Sequence, residues 1–173
     1  MKNLIANPGS AMSSPSAVVD SLMASLDQTH SAFFCQKPVL KKEGNGIQDV
    51  PCIAGTVSFI GDISWSLTWV LTEETAPQVA KKFTGMEFPF DSPDMVDLAG
   101  ELVNVIAGEI IAQLEKRGVK SRMSLPTVVR GKLSEFLPGP SSTMGNLEYS
   151  ATEGTFWFRM ESADKTLVRM PGR

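Results

Sequence analysis

The sequence predicts an α+β domain, an antiparallel β-sheet covered by helices, one of them long. Three observations carry that prediction. In "ISWSLTW" (63–69), Ile63, Trp65, Leu67 and Trp69 alternate with Ser64, Ser66 and Thr68, the period of two of a half-buried strand. Between residues 93 and 117 the apolar positions instead recur every three or four residues, the period of a helix. The order of elements, a helix, strands, two helices and strands again, joins mostly sequence neighbours, as antiparallel sheets allow and parallel ones do not.

Each element has local reasons. Residues 1–15, rich in Ser, Gly, Pro and Ala, read as a flexible N-terminal segment, and residues 16–173 as a single domain. A first helix is expected from about Pro15 to Phe34, with Val18, Leu22, Leu26 and Phe33 as its apolar stripe. "KKEGNG" (41–46) reads as a polar turn. The run "IAGTVSFI" (53–60) precedes the tryptophan strand, and Gly61-Asp62 between them suits a tight hairpin turn that puts both tryptophans toward the core. "TEETAPQVAKKFTG" (72–85) is a short helix capped by Thr72 or Thr75; Pro77, comfortable only in a first turn, favours Thr75, and Gly85 ends the helix. Ser92-Pro93-Asp94 has the order N-cap, N1, acidic N2, so a long helix starts there. It should stop at Gly118 after Lys116-Arg117, a span of ~37 Å. Residues 120–129, 143–151 and 154–161 read as strands joined by Gly/Pro-rich turns.

Composition narrows the function classes. A net charge of −3 and a pI near 5.2 give no general attraction to nucleic acid or to an anionic membrane. No apolar run is long enough to span a bilayer, and the N-terminus lacks the apolar stretch of a signal peptide, which makes the cytoplasm the expected location. There Cys35 and Cys52 stay reduced, and they read as small buried hydrophobes. With His30 the only histidine, a Ser-His-Asp triad or a multi-histidine metal site is hard to build.

The long helix carries the residues that ask for an explanation. On a wheel at ~100° per residue, Ala99, Val103, Ile106, Ile110 and Leu114 gather on one side, which must pack on the sheet. On the other, Asp97, Glu101, Asn104, Gly108 and Glu115 fall within roughly 60°. The plain account is a solvated face. Yet Asn and Gly each cost a helix about 0.5–1 kcal/mol relative to Ala, and this helix accepts both at mid-length. Gly100, Gly108 and Ala112 also strip bulk from around Glu101 and Asn104, so a partner backbone could approach. Asn104 has no proton to exchange near neutral pH and cannot be a general base, but its amide can accept a hydrogen bond from water and aim it. Glu101, one turn away, can pair with a partner's cation. Aiming a water without deprotonating it suits phosphoryl-group hydrolysis, whose loose transition state needs little nucleophile activation. No phosphate-binding loop or metal-ligand cluster accompanies the pair, so phosphate and metal would have to come with the partner.

"DLAGELVNVIAGEI" (97–110) followed by "SLPTVVRG" (124–131) resembles the CheX-type chemotaxis phosphatases of the wider CheC/FliY/CheX superfamily. The family's motif is Asp or Ser, then Glu-x-x-Asn on a long helix, then a downstream Pro; here these positions are Asp97, Glu101, Asn104 and Pro126. The resemblance extends through "GTVSFIGDISWSLTWVLTEETA" and covers roughly residues 54–131. It implies a CheX/CheC-like fold and hydrolysis of the aspartyl-phosphate of a CheY-like response regulator. Asn104 would orient the attacking water and Glu101 would pair with the regulator's active-site lysine, with Asp97, Gly108 and Pro126 as further binding positions. It also implies no cofactor or metal in this chain, Mg²⁺ in the regulator, and a homodimer through a continued sheet edge. The CheC branch carries two Glu-x-x-Asn helices and this chain shows one, so CheX is the nearer branch. The competing readings are a non-catalytic adaptor or sensor of the same fold that binds receiver domains, and a purely structural domain whose Glu/Asn face is solvated.

Overall fold

The structure, a computed structural model, describes residues 15–35, 39–41, 49–137 and 143–162. The N-terminal segment, apart from the start of the first helix, and the turn at 41–46, apart from Lys41, lie outside them. In chain order the elements are α1 (Pro15–Phe34), β1 (Val39–Lys41), β2 (Pro51–Gly61), β3 (Trp65–Thr72), α2 (Thr75–Thr84) and α3 (Pro93–Lys116). Then follow β4 (Ser121–Met123), β5 (Thr127–Lys132), α4 (Leu133–Phe136), β6 (Thr143–Ala151) and β7 (Gly154–Ser162). The strands form one antiparallel sheet in the order β1-β6-β7-β3-β2, with β4 and β5 both pairing the outer side of β2. The α+β class, an antiparallel sheet covered by helices, is therefore as the sequence implied.

Pleating assigns each strand residue a side. Val57, Phe59, Trp65, Leu67, Trp69, Phe156 and Phe158 point to one face and are buried with Ala99, Val103, Ile106, Ile110 and Leu114 of α3. Phe59 stacks on Trp65 at 4.0 Å between ring centroids, which closes the β2–β3 hairpin. The opposite face carries a smaller core of Cys52, Ala54 and Val70 under Leu133 and Leu137 of the α4 region. His30 packs in the main core, its ring stacked near Phe34, Tyr149 and Phe156.

Several local expectations are corrected. The β2–β3 connection is not a two-residue turn: the pairing ends at Phe59↔Trp65, leaving five residues, 60–64, in the loop. Tertiary contacts decide this. Ile60 and Gly61 turn to pair with β4, Asp62 N–H donates to the Lys120 carbonyl at 2.9 Å, and the Asp62 carboxylate accepts from Lys120 N–H at 2.8 Å. Gly61 is needed for close approach: a Cβ there would lie 2.2 Å from the Lys120 oxygen. Thr75 is not the cap of α2. It is buried in the first turn, Thr72 Oγ1 accepts its N–H at 3.1 Å, and its own hydroxyl donates to the Thr155 carbonyl at 3.0 Å. Gly85 does end α2 in the left-handed conformation. The segment 120–129 is not one strand, because Ser124-Leu125-Pro126 separates β4 from β5. Cys35 is exposed and adopts a positive φ of 53°, so only Cys52 is the small buried hydrophobe the sequence suggested for both. β1 and α4, three and four residues long, were too short to leave a periodic signal.

α3 keeps its predicted start and stop. Ser92 Oγ accepts the Met95 N–H at 3.2 Å, Pro93 occupies the first turn, and Gly118 follows the helix with φ of 80°. Its 24 residues span ~36 Å.

Candidate active site

The site is built on α3 and on the loop between β4 and β5. Two features set the helix on the sheet. Gly55 in β2 leaves room beneath it: a Cβ there would stand 2.9 Å from Val103 Cγ1 and 3.4 Å from the Ala99 carbonyl. At the helix start, Arg130 of β5 donates to the carbonyls of Phe90 and Ser92 and lies 5.8 Å over the Phe90 ring. Ser92 Oγ donates in turn to the Pro89 carbonyl at 2.8 Å. The N-terminus of α3 is thus tied to the sheet edge by a guanidinium whose Nη2 donates to both carbonyls.

With the core side committed, the remaining residues face outward. Asp97 and Glu101 are exposed, and Asn104 and Gly108 are half-buried. Among the described residues the side chains of Asp97, Glu101 and Asn104 have no hydrogen-bond or ion-pair partner. Glu109 on the flank, by contrast, accepts from Gln113 at 2.7 Å. Around Gly108 the space is open, with nothing within 4 Å of where a Cβ would be. The wheel and the structure therefore agree on a low outward ridge, Asp97-Glu101-Asn104-Gly108.

Gly100 does not belong to that ridge. It is buried, and a Cβ on it would meet Val128 Cγ2 at 3.4 Å and Pro126 Cγ at 3.9 Å. Its missing side chain lets the β4–β5 loop close against the helix, so the approach it permits is intramolecular. The same contact brings Pro126, 25 positions after Glu101 in sequence, beside the helix at Gly100, the residue before Glu101. On a wheel at ~100° per residue, Asn104 is turned from Glu101 toward the Gly100 side, so it is the member of the pair nearer the loop.

A hollow of about 720 Å³ lies at the other end of α3, lined by Ile60, Gly61, Glu115, Gly118, Lys120, Ser121 and Arg122, and holds none of the ridge residues. Small-molecule sites are concave and bury most of the ligand. Exposed side chains outside such a hollow are instead free to reach toward a partner. Among the described residues no group of three or more His, Cys, Asp or Glu side chains could hold a metal ion, and no helix is long and apolar enough to cross a membrane. Sequence reasoning missed Gly55, Arg130 and Leu125. The first two had no signal without the register, and Leu125 was hidden inside what read as a continuous strand.

An antiparallel sheet under a long helix is also the fold of the CheX/CheC-like structures that the chain resembles. Residues 53–138 match the family model described as chemotaxis phosphatase CheX. The matched stretch contains the whole ridge and Pro126, in agreement with the resemblance. Among solved structures the chain is similar to the chemotaxis protein CheX from Vibrio vulnificus, at 18% identity and a TM-score of 0.66, over 83% of this chain and 97% of that one. It is similar also to the chain matched in the CheX–CheY–BeF3–Mg²⁺ complex from Borrelia burgdorferi, at 16% identity and a TM-score of 0.65, over 84% of this chain and 97% of that one. A CheC-like superfamily protein from Shewanella sp. PV-4 shares 21% identity at a TM-score of 0.61, over 83% of this chain and 95% of that one. At these identities the likeness is one of fold. No curated protein matches the chain.

Proposed function

We propose that this chain is a phosphatase that hydrolyses the aspartyl-phosphate of a CheY-like response regulator. The observation that carries the reading is the pair of uncommitted side chains, Glu101 and Asn104, on an outward ridge beside Pro126. Glu101 pairs with the regulator's active-site lysine and fixes the docking angle. Asn104 enters the acidic pocket, where its amide oxygen accepts a hydrogen bond from water and holds the water oxygen in line with the bond to be broken. The water attacks phosphorus, the phosphorus–oxygen bond to the aspartyl group breaks, and its electron pair returns to the regulator's carboxylate. The water's proton leaves with phosphate or solvent, and no base on this chain takes it. Asp97 and Gly108 line the approach and Pro126 backs the helix. Mg²⁺ is assigned to the regulator. A solved complex of a CheX with CheY supports the partner class. A homodimer through a sheet edge and a cytoplasmic location complete the reading.

The test is the decay of a phosphorylated CheY-type receiver in the presence of the protein. Decay is expected to accelerate, and Asn104→Ala to remove ~100-fold of the acceleration, the order of loss when positioning of a reacting group fails. Glu101→Ala should raise KM at least as much as it lowers kcat. Receiver binding that leaves the phosphate lifetime unchanged would establish the adaptor reading instead.

A further inference from the structure

We infer that Leu125 is an apolar docking contact for the receiver, with Val105 as its counterpart on the other shoulder of the ridge, and that it sets which regulator is accepted. The inference rests on the phosphatase reading above and assigns residues that reading does not use. Leu125 is 87% exposed, although it lies one residue from Pro126, which packs on the helix. An exposed leucine alone means little. This one is not on a mobile loop tip. Its neighbour Ser124 donates its N–H to the Ser58 carbonyl at 2.8 Å, accepts the Ser58 N–H on Oγ at 3.1 Å, and donates that hydroxyl to the Leu125 carbonyl at 2.8 Å. Pro126 fixes the backbone on the other side. The loop therefore presents an exposed apolar side chain from a backbone already fixed, with little backbone entropy left to lose on binding.

Its position gives the occupant. The loop closes on Gly100, on the Asn104 side of the ridge, and Val105, 48% exposed, is turned the other way from Glu101. The loop carrying Leu125 and the Val105 position thus lie to either side of the two polar side chains assigned to the regulator's pocket. The ridge between them is acidic through Asp94, Asp97 and Glu101, all exposed, so the matching surface presents a cation with apolar ground beside it. A receiver that brings its active-site lysine to Glu101 brings its pocket rim toward the loop that carries Leu125. Discrimination among regulators that share the catalytic pocket then falls to that rim, because the pocket chemistry is common to all of them.

The experiment measures both binding and turnover with a CheY-type receiver encoded by the same genome. Affinity is read on the receiver loaded with beryllofluoride and Mg²⁺, and turnover on the phosphorylated receiver. Leu125→Ala and Leu125→Asp should leave circular dichroism and the urea midpoint unchanged, because the side chain buries nothing. Leu125→Ala is expected to raise Kd and KM about tenfold, as loss of an interface anchor does, with kcat within about twofold of the parent. Leu125→Asp should raise them further. If the parent binds and turns over the receiver while both variants keep its Kd and KM, the docking inference fails and the phosphatase reading stands. If the parent binds without turnover, the phosphatase reading fails, and the variants' Kd alone decides the docking inference. Absence of binding by the parent overturns both, and a loss of self-association instead of receiver affinity assigns Leu125 to a contact between copies of this chain.

Discussion

At the residue scale the two cysteines show how one residue type takes different roles from its surroundings. Cys52 is fully buried, and its thiol donates to the Gly131 carbonyl at 3.5 Å. Burial, aided by the nearby charges of Glu135 and Asp49, pushes that thiol up to about 12. Thiolate, the reactive form, is then scarce at neutral pH. Cys35 is exposed. A thiol-specific reagent at neutral pH should modify Cys35 in the folded protein and reach Cys52 only after unfolding, which mass spectrometry of the labelled protein reads directly. Asn104 lies at the same scale. The sequence made it conspicuous because an amide at mid-helix costs stability and returns none locally, and among the described residues that amide has no partner.

At the element scale the question is what seats α3. Gly55 is decisive, because a β-carbon there would press on Val103 Cγ1 at 2.9 Å with the Ala99 carbonyl close behind. A valine cannot swing its methyl away as a long flexible side chain would, so helix and strand must part. Gly55→Ala should destabilise the fold by ~1–3 kcal/mol, seen as a lower urea midpoint. Removing the cap with Ser92→Ala should cost ~1 kcal/mol in the same measurement. α4 is tied down differently, by Asp49, whose carboxylate accepts from Ser134 Oγ at 2.7 Å and from Lys132 Nζ at 3.0 Å. Those bonds, Ser134 first, hold the Asp49 carboxyl below its usual value of 3.8. A depressed carboxyl contributes stability that is full above the unfolded value and lost as pH falls through the folded one. The stability difference between the parent and Asp49→Ala should therefore be flat from near neutrality down to mildly acidic pH. It should shrink once pH drops below 3.8, in urea titrations run at each pH.

At the scale of the whole molecule, the sheet presents two outer borders, β1 on one side and β4 with β5 on the other. Unpaired strand edges invite pairing with another chain, which is the physical basis for expecting a homodimer through a continued sheet. Light scattering should then report about twice 18.7 kDa at micromolar concentration. The layered arrangement also explains why the ridge is free to meet a partner. α3 covers the sheet with its buried side, together with residues of α1 and α2, and its outward side is not committed to that core.

How much of this was legible beforehand follows from the range of the forces involved. The helix from Pro93 to Lys116, its Ser92 cap, the buried tryptophan side of β3 and the Glu101–Asn104 ridge all follow from periodicity and capping. Those depend on residues a few positions apart, so the sequence by itself determined them. The broken strand around Leu125, the five-residue β2–β3 loop, the buried role of Gly100 and the closeness of Pro126 to the motif are different. Each is settled by a contact between residues tens of positions apart, such as Asp62 with Lys120 or Gly100 with Pro126 and Val128. Only the tertiary structure decided these, because a one-dimensional pattern records which side chains want burial but not which neighbour will bury them.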